Sequence, residues 1–372
     1  MAEPRILIAG GTGVFGRLLA RELLDRTSVD LVLAGRTERK AARAPSFHGC
    51  GGRVRSLVLD LRNPAALERA AEGCLAVACA AGPFQALPAD LPRAAVRASA
   101  HWLDISDHRE WVVSLLADRA LDVAASAAGV AVLPGLSTVP ALSGVLARSC
   151  LKGLPDARRA RITLFIGNRN PKGVGSIRSA LESGFADPSP VELPFGRRIG
   201  YRFESPDADL LREEIDLDAE FRVVFEWGIT GRVAAAARPL ARRLGEGRFA
   251  RWLALLSAPF ERFGSDAGCL QVEVWNAEGR RAAAAFLGVG QRMAILPCAL
   301  ALEALLGGEV RWRGVRSPAT LLATEDWVAR LGGRGLEFRT LTRDREPSGG
   351  TKQTGGRLPP PAPNAPLRPA DA

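Results

Sequence analysis

The aliphatic run at 5–9 (Arg-Ile-Leu-Ile-Ala) gives way at Gly10-Gly11-Thr12-Gly13 to apolar residues at helical intervals, among them Val14, Phe15, Leu18, Leu19, Leu23 and Leu24. That change of period predicts a strand, a tight turn and a helix over about 14–26. The pattern then repeats. Short aliphatic runs at 30–34, 54–60, 75–80, 101–105 and 130–135 read as strands, and the stretches from Asn63-Pro64, at 90–99 and at 109–127 read as helices. Strands that are apolar throughout and alternate with helices over some 135 residues predict a parallel, doubly wound sheet covered on both faces.

From about Val139 the pattern changes. A helix to Cys150 and a Pro/Arg-rich connector lead to strands at 161–166, 222–227 and 270–275, where polar and apolar residues alternate as in half-buried antiparallel strands. A run at 284–290 and a helix over 293–306, stopped by Gly307-Gly308, follow. The expected organisation is a doubly wound α/β domain at 1–138, an α+β domain with a mostly antiparallel sheet at 139–290, and a helical segment packing back at 291–344. The tail at 345–372 is rich in Pro and Gly with almost no large apolar residue, so it is expected to be disordered.

The glycines make the first turn more than a turn. Gly11, Gly13 and Gly16 satisfy G-x-G-x-x-G, while Gly10, Gly13 and Gly16 satisfy a looser spacing, so the register of the first glycine stays open. In either register, a backbone without Cβ lets a phosphate approach, and the following helix offers it unpaired N–H groups and a positive dipole end. Gly10, Gly11, Thr12, Gly13, Val14, Phe15 and Gly16 are therefore expected to cradle the pyrophosphate of a dinucleotide, in a Rossmann arrangement.

Cofactor choice is read at the end of the second strand. An acid there accepts from ribose hydroxyls, whereas an arginine accommodates a 2′-phosphate. Arg36 sits about 20 residues beyond the glycines, followed by Thr37, Arg39 and Lys40, and Asp30 lies at the wrong end of the strand. NADP is favoured over NAD, against the plainer reading of a solvated helix start capped by Thr37. Asp60, at the end of the third strand, can meet the adenine edge or cap the next turn. Ala81, Gly82, Pro83 and Phe84 follow the fourth strand, where strand ends face the cofactor crevice.

Composition narrows the rest. With 372 residues and 47% apolar content the chain can bury two ordinary cores. The net charge of +10 raises the question of nucleic acid, but 46 of the 50 basic residues are arginines spread along the chain rather than gathered in a stripe, so no nucleic-acid partner is expected. Six cysteines form no C-x-x-C and no Cys/His cluster, so no metal is expected either. With no signal-like start and no apolar stretch of about 20 residues, the expected location is cytoplasmic.

The sole tyrosine, Tyr201, has no lysine four residues on, so a Tyr-x-x-x-Lys proton-transfer pair is excluded. Candidates for acid/base work near the sheet edge are Asp104, Asp107 and His108, against plainer roles as turn and cap residues. Asn168, Arg169, Lys172 and Arg178 place donors in a glycine-interrupted loop that suits an anionic group of a small-molecule substrate, or merely a solvated surface. The basic, Trp-containing stretch 238–262 fits either peripheral contact with an anionic membrane or an ordinary interface.

Taken together, the glycine turn, Ala34-Gly35-Arg36, Cys79-Ala80-Ala81-Gly82-Pro83-Phe84, His101-Trp102-Leu103-Asp104-Ile105-Ser106 and Ala131-Val132-Leu133-Pro134-Gly135-Leu136 resemble, in order and spacing, the saccharopine dehydrogenase (saccharopine reductase)-like oxidoreductases. The resemblance covers the first 140 or so residues; beyond them, 167–179 and Gly314-Val315-Arg316-Ser317-Pro318 are similar in layout. It implies an NAD(P)-binding first domain with the Ala-Gly-Pro-Phe segment beside the nicotinamide. It also implies a second domain that shapes the substrate pocket and often builds a homodimer, and a C-terminal piece packing back. The expected activity is NADP-dependent hydride transfer to or from an organic substrate, anionic or lipid-like. The alternative is a non-catalytic dinucleotide sensor with a protein partner.

Overall fold

The structure, a computed structural model, describes residues 3–37, 52–170, 186–228 and 263–341. The first strand, β1 (Arg5–Ala9), feeds α1 (Val14–Arg26), as the change of hydrophobic period requires. β2 (Asp30–Gly35), β3 (Val54–Val58), α2 (Pro64–Ala71), β4 (Ala76–Cys79), α3 (Leu91–Arg97) and β5 (His101–Asp104) continue the alternation. The 109–127 stretch is not one helix. It divides into α4 (Arg109–Leu116) and α5 (Arg119–Ala127), because the Asp118 carboxylate accepts from Leu121 N and opens a new helix there. β6 (Ala131–Leu133) follows.

These strands lie in the order 3-2-1-4-5-6, all parallel, and a seventh is added beyond β6 by β13 (Gly314–Val315) from the C-terminal region. Sequence reading closes this sheet at β6; the two-residue β13 is too short to carry a periodic signal. Strand order reverses between β1 and β4, so the carboxyl ends of those strands open the crevice in which such sheets bind ligands. Ile6, Leu7 and Ile8, wholly buried with Leu19 and Leu23 of α1, show why the run is apolar on both faces.

Past a kinked helical turn at Thr138–Leu142, α6 (Ser143–Gly153) leads into the second sheet. Its strands are β7 (Arg159–Ile166), β8 (Ala186–Leu193), β9 (Gly196–Phe203), β10 (Asp218–Phe225), β11 (Ala267–Trp275), β12 (Arg281–Val289) and β14 (Glu337–Thr340), ordered 14-12-11-7-10-9-8. β7 and β10 mix buried and part-exposed positions, but β11, expected to be half-buried at 270–275, is central and buried on both faces, Gln271 and Glu273 included; the sheet is antiparallel except for one parallel pair, β7 with β10. α7 (Asp207–Ile215) makes the crossover that this parallel pair needs. The single helix expected at 293–306 is two, α8 (Gly290–Met293) and α9 (Leu296–Leu306), parted where Pro297 lacks a donor; Gly307-Gly308 ends α9 with Gly308 at φ +65°. α10 (Thr324–Gly332) precedes β14.

Buried charge fastens the C-terminal region to α1. Glu22 of α1 accepts from Arg26 (3.0 Å), from Arg292 of α8 (2.9 Å) and from Arg334 after α10 (2.6 Å), and Arg334 also pairs with Glu303 of α9. Burial alone would raise the Glu22 carboxyl; the hydrogen bond and charge of Arg292, with Arg334 and Arg26, outweigh it and hold the group below its ordinary value.

Candidate functional site

The glycine turn resolves the open register by using all four glycines for different reasons. Gly10 takes φ +80°, the left-handed conformation that favours glycine, and a Cβ there would lie 2.8 Å from the Ala81 backbone. A Cβ on Gly11 would press on Leu33 of β2 at 3.0 Å, and one on Gly16 would come within 2.3 Å of the Gly10 carbonyl. Gly13 differs. Its backbone is extended (φ −79°, ψ 176°), and a Cβ would meet only the Gly10 carbonyl, at 3.2 Å. The absent side chain at Gly13 thus opens space on the outside of the turn rather than relieving strain within it. α1 begins there with no side-chain cap and no acidic residue in its first turn. Its first N–H groups, unpaired within the helix by geometry, are left to an anion. Thr12, Val14 and Phe15 are half-buried around this opening. Residues that need a Cβ-free approach and an uncapped helix start suit a pyrophosphate.

Arg36 and Thr37, just past β2, are exposed, and Arg36 makes no ion pair or hydrogen bond among the described residues. Arg39 and Lys40 lie outside the described residues. Leu59 N donates to Gly35 O (3.0 Å), so the chain leaving β3 runs beside the chain leaving β2 and brings Asp60 near Arg36. Asp60 is not a free acceptor awaiting an adenine edge. Arg62 donates to it from Nε (3.0 Å to each oxygen), from Nη2 (2.5 Å) and from its backbone N (3.1 Å). Those hydrogen bonds, with the charges of Arg62 and then Arg36, hold the Asp60 carboxyl at about 2. Sequence reading names Arg36 and misses Arg62.

On the other side of the crevice, Ala81 lies against the glycine turn, Gly82 is open on the side its Cβ would occupy, and Phe84 is buried against Trp111, ring centroids 5.6 Å apart. Trp111 is fixed by Asp104. That carboxylate, wholly buried at the end of β5, accepts from Trp102 Nε1 (2.9 Å), Trp111 Nε1 (2.9 Å), Ser106 N (3.0 Å) and Gly135 N (2.9 Å). Burial raises its pKa, and the four donors oppose the rise. Asp104 is therefore a tie between the ends of β5 and β6, not an acid/base candidate. His108 caps α4, its Nδ1 accepting from Trp111 N at 3.4 Å, while Asp107 does not cap. Asp107 is open to solvent, yet the protein closing around it pushes its carboxyl above the ordinary value.

The loop after β7 is a built turn as far as it is described. The Glu226 carboxylate accepts from Asn168 N (2.7 Å) and Ser265 N (2.9 Å), the Asn168 amide donates to Phe263 O (2.9 Å), and Asn170 is buried between Gly167 O, Ala267 O and Gln291 N. Asn168 and Asn170 thus shape the loop; Arg169 is exposed, and Lys172, Arg178 and the 238–262 stretch lie outside the described residues, as does the tail. Cys79, Cys150 and Cys269 are buried thiols pushed up by burial to about 12, and Cys74 and Cys298 are raised by the same cause. Among the described residues no His/Cys/Asp/Glu group has metal-binding geometry, and no helix is long and apolar enough to cross a membrane.

Residues 6–133 match the family model described as the saccharopine dehydrogenase NADP binding domain. No curated protein matches the chain. Among solved structures, the apo saccharopine dehydrogenase (L-Glu forming) from Saccharomyces cerevisiae superposes over 92% of this chain and 100% of its own, with a TM-score of 0.63 at 14% identity, which shows a shared fold. Pen from Bacillus thuringiensis (18% identity, 36% of this chain and 51% of its own, TM-score 0.29) and serine dehydrogenase from Escherichia coli (16%, 35% and 80%, TM-score 0.27) align over about a third of the chain.

Proposed function

From the premise that residues 6–133 belong to the saccharopine dehydrogenase NADP binding domain family, we propose that the chain moves a hydride between NADP and a small organic substrate bound between the β4–β6 strand ends and the second sheet. The observation that carries this reading is the opening at Gly13 against an uncapped α1, with Arg36 exposed beyond β2 and without an ion pair among the described residues. NADP, when bound, supplies the hydride acceptor or donor at its nicotinamide ring. The chain's residues do the rest. The α1 N–H groups hold the pyrophosphate, and Arg36 meets the 2′-phosphate. The Asp104 tie keeps Trp111 and Phe84 in place as an apolar wall that excludes water from the reacting face.

Hydride transfer to a carbonyl or imine leaves a proton to be delivered, and Asp107 is the group best suited to exchange it, being solvent-open, beside the strand ends and raised in pKa. His108 spends one ring nitrogen on its cap and is the second choice. A panel of carbonyl, imine and enoyl compounds with NADPH tests the reading: turnover in one class, with Asp107→Asn lowering kcat and removing the fall in rate on the alkaline side of the Asp107 pKa, supports it. NADPH binding with no turnover across the panel supports the dinucleotide-sensor reading instead.

A further inference from the structure

We propose that Arg62 is a second determinant of cofactor choice, joining Arg36 on the 2′-phosphate and screening that phosphate from Asp60. The proposal rests on the NADP reading and assigns part of that recognition to a residue outside the β2 end, where it is ordinarily sought. β2 and β3 run parallel with Gly35 opposite Val58, and the Leu59 N to Gly35 O bond (3.0 Å) keeps the two chains together past their last paired residues. Arg36 leaves one strand end as Asp60 and Arg62 leave the other. The three form a plus–minus–plus set, in which Asp60 feels both arginines.

Fold stability does not account for the Asp60–Arg62 pair. The Arg62 side chain is 77% exposed, and an ion pair so open to water adds little to the stability of a fold. Its geometry has a use at a phosphate. Only Nε and one Nη2 hydrogen are engaged with Asp60, so the Nη1 hydrogens and the other Nη2 hydrogen remain for a second oxyanion, and the guanidinium is already oriented when that oxyanion arrives. Asp60 without Arg62 would be an uncompensated carboxylate beside the phosphate. It would also be an acceptor free to meet ribose hydroxyls, as the acid at the β2 end does where NAD is preferred. Arg62 therefore acts twice, by attracting the phosphate and by occupying the carboxylate that would repel it.

The two roles separate in a double-variant cycle on the full chain, titrated with NADPH, NADH, 2′-AMP and 5′-AMP. Arg62→Ala is expected to weaken NADPH and 2′-AMP by about 10- to 100-fold, the scale of one charge-assisted contact, with NADH and 5′-AMP changed less than about 3-fold. Adding Asp60→Asn to Arg62→Ala should recover several-fold of the NADPH loss, because the bare carboxylate is gone. A wild-type preference for NADPH with Arg62→Ala at wild-type affinity would overturn the role of Arg62 and leave the NADP reading standing. Equal wild-type affinity for NADPH and NADH would overturn both.

Discussion

Asp104 and Asp60 stand at the carboxyl edge of the same sheet, one ending β5 and the other just past β3, and they are held in opposite ways. Asp104 is sealed from water and satisfied by four neutral N–H donors with no cation among them; Asp60 is in solvent and held by an arginine. Neutral donors in a dry site cannot be exchanged for a ligand without leaving a buried group unpaired, so Asp104 fixes shape whether or not cofactor is present. An arginine in solvent can share its remaining hydrogens with an incoming phosphate at small cost to the fold. On the proposed reading the edge divides into a half built to stay and a half built to receive.

The largest effect should come from the half built to stay. Asp104→Ala would leave two indole N–H and two backbone N–H groups buried without an acceptor, at about 1–3 kcal/mol each. A loss of at least about 4 kcal/mol is expected in urea denaturation, with Trp102 and Trp111 fluorescence reporting the change. Asp104→Asn should lose less, since one oxygen remains. Wild-type stability in Asp104→Ala would show that the network is incidental.

Next comes Gly13→Val. The extended backbone accepts valine and only the Gly10 carbonyl is near, so stability should change by less than about 1 kcal/mol while the new side chain takes the pyrophosphate's place. NADPH affinity should fall more than about 100-fold by calorimetric titration. Gly16→Ala provides the contrast, because its Cβ would strike the Gly10 carbonyl and the Gly11 backbone and so lower stability first.

A smaller effect is expected at a buried carboxylate where α7 meets α6. Asp207 of α7 accepts from the Ser143 and Ser205 hydroxyls and is raised to about 6, chiefly by burial, which the two hydroxyls oppose. Its folded pKa lies above the unfolded value of about 3.9, so the native state binds the extra proton, and stability from this group falls as pH rises from about 4 to 6. The change is of order 1–3 kcal/mol. Asp207→Asn should flatten that slope, and an unchanged slope in denaturation curves taken between pH 4 and 7 would remove Asp207 as its source.

The comparison also explains what the sequence made legible. The strand–turn–helix, the α1 bounds and Arg36 are local: their signals lie within about 30 consecutive residues, where period and glycine spacing speak directly. Asp104 reads as a titrating candidate because nothing in the chain order says that Trp102, Trp111 and Gly135 converge on it. Arg62 reads as an ordinary loop arginine until the β2–β3 register brings its partner Asp60 near Arg36. Glu22 looks like a polar-face residue of an amphipathic helix, since its partners Arg292 and Arg334 come some 300 residues later. The Asp118 break was readable as a cap signal, but the alanines around it favour a continuous helix just as well.

The central claim is that the receiving half of the edge is built for a 2′-phosphate. Titration of NADPH and NADH against wild type and Arg36→Ala, at low and raised ionic strength, tests it most directly. The account predicts that wild type prefers NADPH, that Arg36→Ala weakens NADPH by about 10- to 150-fold while changing NADH only a few-fold, and that salt erodes the preference because exposed charges are screened within about 10 Å at 0.1 M. Equal affinity of the wild type for the two cofactors, insensitive to salt, would contradict it.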